Sequence, residues 1–431
     1  MFTIRDLNIE GDIVPLFDHT RNEFAKEELI NMFKEPIGSK EAILSRQDTI
    51  KGFISNFPLL ENFAYPIIDL REVHQYLLTP AHHKKNQNKF ISLLELHLSQ
   101  KERHQISSRI AQTILLLHKL LNTYFNRIKL QVFPASYQTE IKFLCDYLSQ
   151  FQTQKYERKI RESCLTVTDL LKLSNHIEQQ LQNGNTVIFF NCFFRFEALL
   201  SISLSATRNN FNFPILGVEK ITIKDFYHPA LRHPVKNSID CSNSVLLLTG
   251  PNMSGKSTAL KAISLCVFLA HIGLPVPAAF FATPHYDVIL ISLHHIDNLK
   301  KGYSHFLSDV MNIKMVASQI LEGKRCFAVF DELFNGTTIE DALEISETVI
   351  SNFAYAEHSL IMIATHLHPL KELDVIKNNK VDTFYLNCLM AARVPTFTYE
   401  INVGWSDIKV GKILFINEGL NQLLDGIAGA N

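Results

Sequence analysis

A chain of 431 residues exceeds what one ordinary hydrophobic core accommodates, and its length predicts two or three domains. Hydrophobic residues at 46% and charged residues at 20%, with 16 Gly and 15 Pro, exclude a disordered or low-complexity protein. Lys and Arg number 42 against 43 Asp and Glu, so no overall positive field marks nucleic acid as a partner, and any such contact must come from a local patch.

The opening MFTIRDLNIEGD mixes charges with apolar residues and lacks the apolar core of a secretory signal. Seven cysteines (145, 164, 192, 241, 266, 326 and 388) are odd in number, scattered and without a C-x-x-C pair, which predicts a reduced, cytoplasmic setting. The first half has helical periodicity. Pro36 and Gly38 break the chain, and Ser39 is placed to cap a helix running through Ile43, Arg46 and Ile50. A later stripe of Ile106, Ile110, Ile114, Leu117, Leu121, Phe125 and Ile128 repeats at helical steps. Residues 82 to 131 concentrate Lys84, Lys85, Lys89, Lys101, Arg103, Arg109, Lys119, Arg127 and Lys129 against Glu95 and Glu102. This region suits contact with DNA phosphates, Lys84, Lys85 and Lys89 above all, and equally suits a solvated helix face beside an acidic partner helix.

Near Pro214 the pattern changes to short apolar runs alternating with helical stretches: ITI (221 to 223), SVLLLTG (244 to 250), RCFAVFDE (325 to 332) and HSLIMIATH (358 to 366). Such alternation predicts an α/β domain with a largely parallel, buried sheet, preceded by an all-α domain. The division falls at residues 1–215 and 216–431. An apolar run from Leu265 to Ala282 carries His271, Gly273, Pro275 and Pro277, and is expected to be a buried helix with its exit turn, with no membrane span.

Gly250-Pro251-Asn252-Met253-Ser254-Gly255-Lys256-Ser257 fits the phosphate-loop pattern G-x-x-x-x-G-K-[ST], between a strand and a helix-forming stretch that opens with Thr258. Glycines there let backbone N–H groups face phosphate oxygens at a helix N-terminus. Lys256 is then expected at the β- and γ-phosphates and Ser257 on Mg²⁺. A second apolar strand ends in Asp331 and Glu332. Ligands of parallel sheets gather at strand C-termini, so Asp331 is expected to hold Mg²⁺ and Glu332 to deprotonate the attacking water. Adjacent acids also suit a surface turn, but five apolar residues before them place the strand in the core. A third strand ends at Thr365 and His366, and His366 is placed to donate to the γ-phosphate. The cofactors implied are ATP and Mg²⁺.

TGPNMSGKST, with its Pro-Asn-Met, together with DELFNGTTIED (Asp331 to Asp341) and ATH (364 to 366), resembles the MutS family of DNA mismatch-repair ATPases. GYSHFLSDV (Gly302 to Val310) is similar to the family's signature stretch, and implies that Ser304 reaches ATP in trans across a homodimer. ITIKDFYHPAL (221 to 231) and PVKN (234 to 237) resemble the entry to the ATPase domain, which puts Val235 and Asn237 where adenine packs. LFDHT, FKEPI and AILSRQDTI in the first fifty residues, with EALLSISLSATRNNFNFPIL (197 to 216), resemble the family's helical core or lever domain. The resemblance implies a P-loop, ABC-like ATPase domain and a protein that couples hydrolysis to clamping DNA, mispaired or branched, with repair proteins as further partners.

Because the core motif begins by residue 16, a mismatch-reading domain and its connector are not expected ahead of it. FRFE (194 to 197) lacks the spacing of the family's Phe-x-Glu wedge. A regulatory or recombination-related ATPase that does not itself read mismatches therefore stands beside mismatch repair. A P-loop kinase fits less well, since 280 to 325 offers no arginine-bearing lid pattern, and a transport ATPase would carry a Gly-rich signature in place of YSHFLSD.

Overall fold

The computed structural model describes residues 2–34, 37–79, 100–293, 305–334, 336–391, 394–406, 408, 410–417, 419–420 and 423–424. Up to residue 208 long helices follow one another: α1 (Glu23–Lys34), α2 (Lys40–Ser55), α3 (Ile67–Leu78), α4 (Gln100–Lys119), α5 (Ala135–Gln150), α6 (Thr153–Arg161), α7 (Val167–Gln182) and α8 (Asn185–Arg208). Strands then alternate with α9 (Lys256–His271), α10 (His305–Leu321) and α11 (Ile339–Phe353). The strands are β1 (Phe2–Thr3), β2 (Ile215–Leu216), β3 (Thr222–Phe226), β4 (Asn237–Asp240), β5 (Val245–Thr249), β6 (Phe280–Thr283), β7 (Val288–Ser292), β8 (Cys326–Asp331), β9 (Leu360–Thr365), β10 (Asp382–Ala391) and β11 (Val394–Val403). The α/β pattern expected from residue 216 onward is thus present.

Two compact units emerge, a helical one of residues 17–34 and 45–207, and an α/β one of residues 1–16, 35–44 and 208–431. This partition differs from a single cut at 215/216. The first of these stretches joins the α/β unit for visible reasons: Phe2 and Thr3 pair with Ile289 and Leu290 of β7, and Leu293 N–H donates to Asp6 Oδ2 at 2.6 Å. In the same unit Ser39 Oγ accepts from Ala42 N–H at 3.2 Å, the cap its position foretold.

Within the helical unit the core is aromatic. Phe189, Phe190, Phe193, Phe194 and Phe196 of α8 are all buried, and the Phe196 ring lies 4.9, 5.6 and 5.0 Å from the rings of Phe53, Phe63 and Phe125. The stripe from Ile110 to Ile128 is buried as its spacing required. Glu197 is 2% exposed: its carboxylate accepts from Asn22 Nδ2 at 3.0 Å, from the Tyr65 hydroxyl and from Arg21 N–H, and burial raises its pKa. The FRFE segment is therefore core structure, its acid consumed by local hydrogen bonds. Among the described residues α8 is the one helix long and apolar enough to cross a membrane, and 72% of its apolar window is buried within the protein, as in a core helix.

In the α/β unit a seven-stranded sheet runs β1-β7-β8-β9-β5-β10-β11, parallel except for the β10–β11 hairpin. Its central strands are near-continuous apolar runs because both faces are covered. Val245, Leu247, Ala328, Phe330, Ile361 and Ile363 form one face with Val316 of α10 and Ile350 of α11. A second sheet, β2-β6-β3-β4, lies in the same unit. The apolar run after the glycine loop is the buried α9 followed by a turn at Gly273 and then β6, as expected.

His271 closes α9 in a way that fixes its proton. Tyr286 N–H donates to Nε2 at 2.8 Å, so Nδ1 carries the hydrogen and donates to Val267 O at 2.7 Å. Burial pushes its pKa down to about 4. A group neutral when folded and titrating near 6.5 when unfolded contributes stability above that pH and loses it as pH falls toward 4. Going from pH 7 to pH 5 is expected to remove roughly 2 kcal/mol from this unit. Denaturation followed through the chain's single tryptophan, Trp405, at the two pH values checks it; an equal slope in His271→Asn would reassign the effect.

Candidate nucleotide site

Three parallel strands end within one residue of one another at one edge of the large sheet. Thr249 of β5 pairs with Thr365 of β9, and Asp331 of β8 pairs with Ala364 of β9. Gly250 and His366 therefore leave the sheet at one level, and Glu332 one residue before it. β9 lies between β5 and β8, so the acidic tip is two strands from the loop, yet their side chains meet. Ser257 Oγ, at the start of α9, donates to Asp331 Oδ2 in a short hydrogen bond.

Residues 250–255 form a tight loop into α9 that relies on glycine at two positions. Gly250 has φ 146° and a Cβ there would stand 2.9 Å from Ser254 Oγ; Gly255, the N-cap of α9, has φ 97° and a Cβ there would meet the Tyr399 ring at 3.2 Å. Met253 also takes positive φ and is 74% exposed. Ser254 is buried with its hydroxyl unpaired.

Lys256 is 6% exposed and donates to Gly250 O at 3.0 Å and Pro251 O at 3.3 Å, with its ammonium 3.9 Å from Glu332 Oε1. Burial lowers its pKa, while Glu332 and Asp331 oppose that shift. Glu332 follows the strand in a left-handed conformation, φ 52°, and its N–H still donates to Ala364 O at 3.0 Å. That turn brings its carboxylate to His366, with Nδ1 to Oε1 at 3.4 Å, and the bond to Glu332 raises the pKa of His366. Lysine, glutamate and histidine thus surround one point above the sheet edge. An ammonium beside a carboxylate and a hydroxyl beside a second carboxylate is a donor set for phosphate and a hard cation.

Cavities flank the loop on two sides. One of about 290 Å³ is lined by Asn252, Met253, Thr365, His366, Trp405 and Ser406. Another of about 340 Å³ is lined by Tyr227, His228, Val235, Asn237, Thr258 and Tyr399. Val235 and Asn237 thus face the start of α9. The Asn237 carboxamide, however, is engaged with backbone: Nδ2 donates to Tyr399 O at 3.0 Å, and Oδ1 accepts from Ile401 N–H at 2.7 Å.

A family model described as MutS domain V matches residues 246–415, which takes in the loop, the acidic tip and His366. Over these residues the chain is similar to the MutS family. It is 31% identical over 216 residues to the DNA mismatch repair protein MutS of Streptococcus sanguinis, a stretch that is 49% of this chain and 24% of that protein. The MutS of Ehrlichia ruminantium strain Gardel is 34% identical over 221 residues, 50% of this chain and 27% of its own. With MutS of Streptococcus equi the match extends to 299 residues at 27% identity, 65% of this chain and 34% of the relative. The chain therefore spans about a quarter to a third of the length of the curated MutS relatives it matches.

Within the MutS domain V match, Gly250, Pro251, Asn252, Met253, Ser254, Gly255, Lys256, Ser257, Thr258, Asp331, Glu332 and His366 gather at one edge of the sheet. Ser304 lies outside the described residues, as do Lys84, Lys85 and Lys89. Lys101, Arg103, Arg109 and Lys119 are exposed on α4, and the Arg109 guanidinium stands over the Tyr76 ring. Tyr399 and Trp405 were missed by motif reasoning. Both belong to the MutS match, but neither sits in a spaced pattern; the alternation in TFTYEI signals a strand and gives no sign that its tyrosine faces the loop.

Proposed function

We propose that this chain is a MutS-type, Mg²⁺-dependent ATPase with a P-loop, ABC-like nucleotide site, and that hydrolysis in composite sites of a homodimer drives clamping of DNA in mismatch repair or a related DNA-structure process. The observation that carries the reading is the meeting of Ser257 with Asp331 beside the Lys256–Glu332–His366 cluster. Backbone N–H groups of residues 252–258 bind the phosphates, and Lys256 exchanges its carbonyl partners for β- and γ-phosphate oxygens. Ser257 and Asp331 are hard oxygen donors of the kind Mg²⁺ uses alongside phosphate and water. No cluster of three or more His, Cys, Asp or Glu among the described residues offers a metal cage made by protein alone, so the cation is expected to arrive with the nucleotide. When bound it neutralises phosphate charge. Glu332 accepts the proton of the attacking water, and His366 orients that carboxylate and donates to the γ-phosphate.

Base packing falls to the second cavity, with Val235 on one wall and the Tyr399 ring on another. Ser304 completes the site from the partner protomer. The relatives' name, DNA mismatch repair protein, supports mispaired DNA as the macromolecular partner; branched double-stranded DNA, repair proteins as further partners and the cytoplasm as the place of action complete the proposal. A regulatory or recombination-related role without mismatch reading is the second form of the same proposal, favoured by FRFE being core structure. Purified protein is expected to bind ATP only with Mg²⁺ and to hydrolyse it faster with DNA. Absence of Mg²⁺-dependent ATP affinity would sink the assignment.

Charge reversal at Lys84, Lys85 and Lys89 is expected to weaken DNA binding and to lower the slope of log affinity against log salt by about 0.9 per lost phosphate contact. DNA titrations at several salt concentrations read this directly. Unchanged slopes would return the segment to a solvated face.

A further inference from the structure

The β10–β11 hairpin breaks its ladder at one place. Leu386 pairs with Ile401 and Cys388 with Phe397, so Asn387 alone faces Thr398, Tyr399 and Glu400. Extra residues in one strand of a pair bend it and re-aim its side chains. Tyr399, at the middle of this bulge, has φ 59°. A bulky residue in the left-handed region holds there only when its surroundings compel it.

Asn237, the first residue of β4 in the other sheet, supplies the compulsion. Its carboxamide donates to Tyr399 O at 3.0 Å and accepts from Ile401 N–H at 2.7 Å, and it also reaches Val235 O at 3.4 Å. Both amide hydrogens and the oxygen are used on backbone, which leaves Asn237 little capacity to read a base directly. Thr398 seals the other side of the bulge, its hydroxyl donating to Asn387 O and accepting from Glu400 N–H, both at 3.3 Å. The ring so placed lines the cavity beside Thr258 and leans on Gly255 at the mouth of α9.

We infer that Asn237 is a positioning residue: its carboxamide clips the β11 bulge so that Tyr399 stands as a preset wall for the nucleobase, and Asn237 acts on the nucleotide only through that ring. The inference rests on the nucleotide reading proposed above. It separates base recognition, set by the hairpin, from phosphate recognition, set by the loop. Asn237→Ala should release Tyr399 without touching any phosphate contact.

Calorimetric titration of wild type, Asn237→Ala, Tyr399→Ala and the double variant with Mg-ATP and with Mg-tripolyphosphate, which lacks a base, tests it. Loss of base–aromatic packing is expected to weaken ATP about tenfold in each single variant. The double variant should bind no more weakly than Tyr399→Ala, because the two act as one unit. Tripolyphosphate affinity should stay constant throughout, and Tyr399→Phe should bind ATP as wild type does. Steady-state rates should show a raised KM for ATP with kcat unchanged in Asn237→Ala. Unaltered ATP affinity in Asn237→Ala, additive losses in the double variant, or a parallel loss of tripolyphosphate would overturn the inference. Wild type that binds neither compound would overturn the nucleotide reading itself, a result the variants cannot mimic.

Discussion

Glu332→Gln is expected to bind MgATP as tightly as wild type while hydrolysing it about 10² to 10⁴ times more slowly, the usual contribution of a positioned general base. Glutamine keeps the size and one acceptor oxygen but cannot take the proton of water. Glu332 is also the chief cause of the raised pKa of His366. The same substitution should therefore let His366 titrate at lower pH, which histidine NMR resolves without any turnover. Single-turnover hydrolysis with bound nucleotide counted separately checks the rate. Wild-type rates in this variant would remove Glu332 from its role.

Phe196→Ala should cost the helical unit about 3 to 5 kcal/mol, the range for deleting a buried phenylalanine. Phe196 is fully buried, and three further rings, of Phe53, Phe63 and Phe125, lie within 6 Å of it. Those neighbours come from α2, the turn before α3 and the turn after α4, so collapse around the missing ring would require separate segments to shift together. Chemical denaturation monitored by helical circular dichroism reads the loss. A change below about 1 kcal/mol would mean that the cluster repacks freely.

Much of this architecture was legible beforehand. Val245–Thr249, Cys326–Asp331 and Leu360–Thr365 are apolar runs because they are buried on both faces, and runs of that length flanked by polar turns have few other uses. The glycine loop, Asp331 and His366 were legible for a related reason, since a strand end fixes where the next residue emerges. Hidden from sequence was everything decided by pairing. The insertion of β9 between β5 and β8, the two-residue β1 added to β7, and the clip from Asn237 to Tyr399 join residues far apart in the chain. Asn237 itself was placed near the base by resemblance, but that its amide serves backbone followed only from the bulge in β11.

The nearly level strand ends carry a mechanical implication. Where the ladder ends three strands within one residue of one another, Glu332, His366 and the loop that carries Lys256 start close together, and little freedom remains to be surrendered at capture. A centre already so assembled is not readily switched by rearranging from within. On the function proposed above, control over turnover is then best exerted from outside, by whatever surface is brought up against the rim.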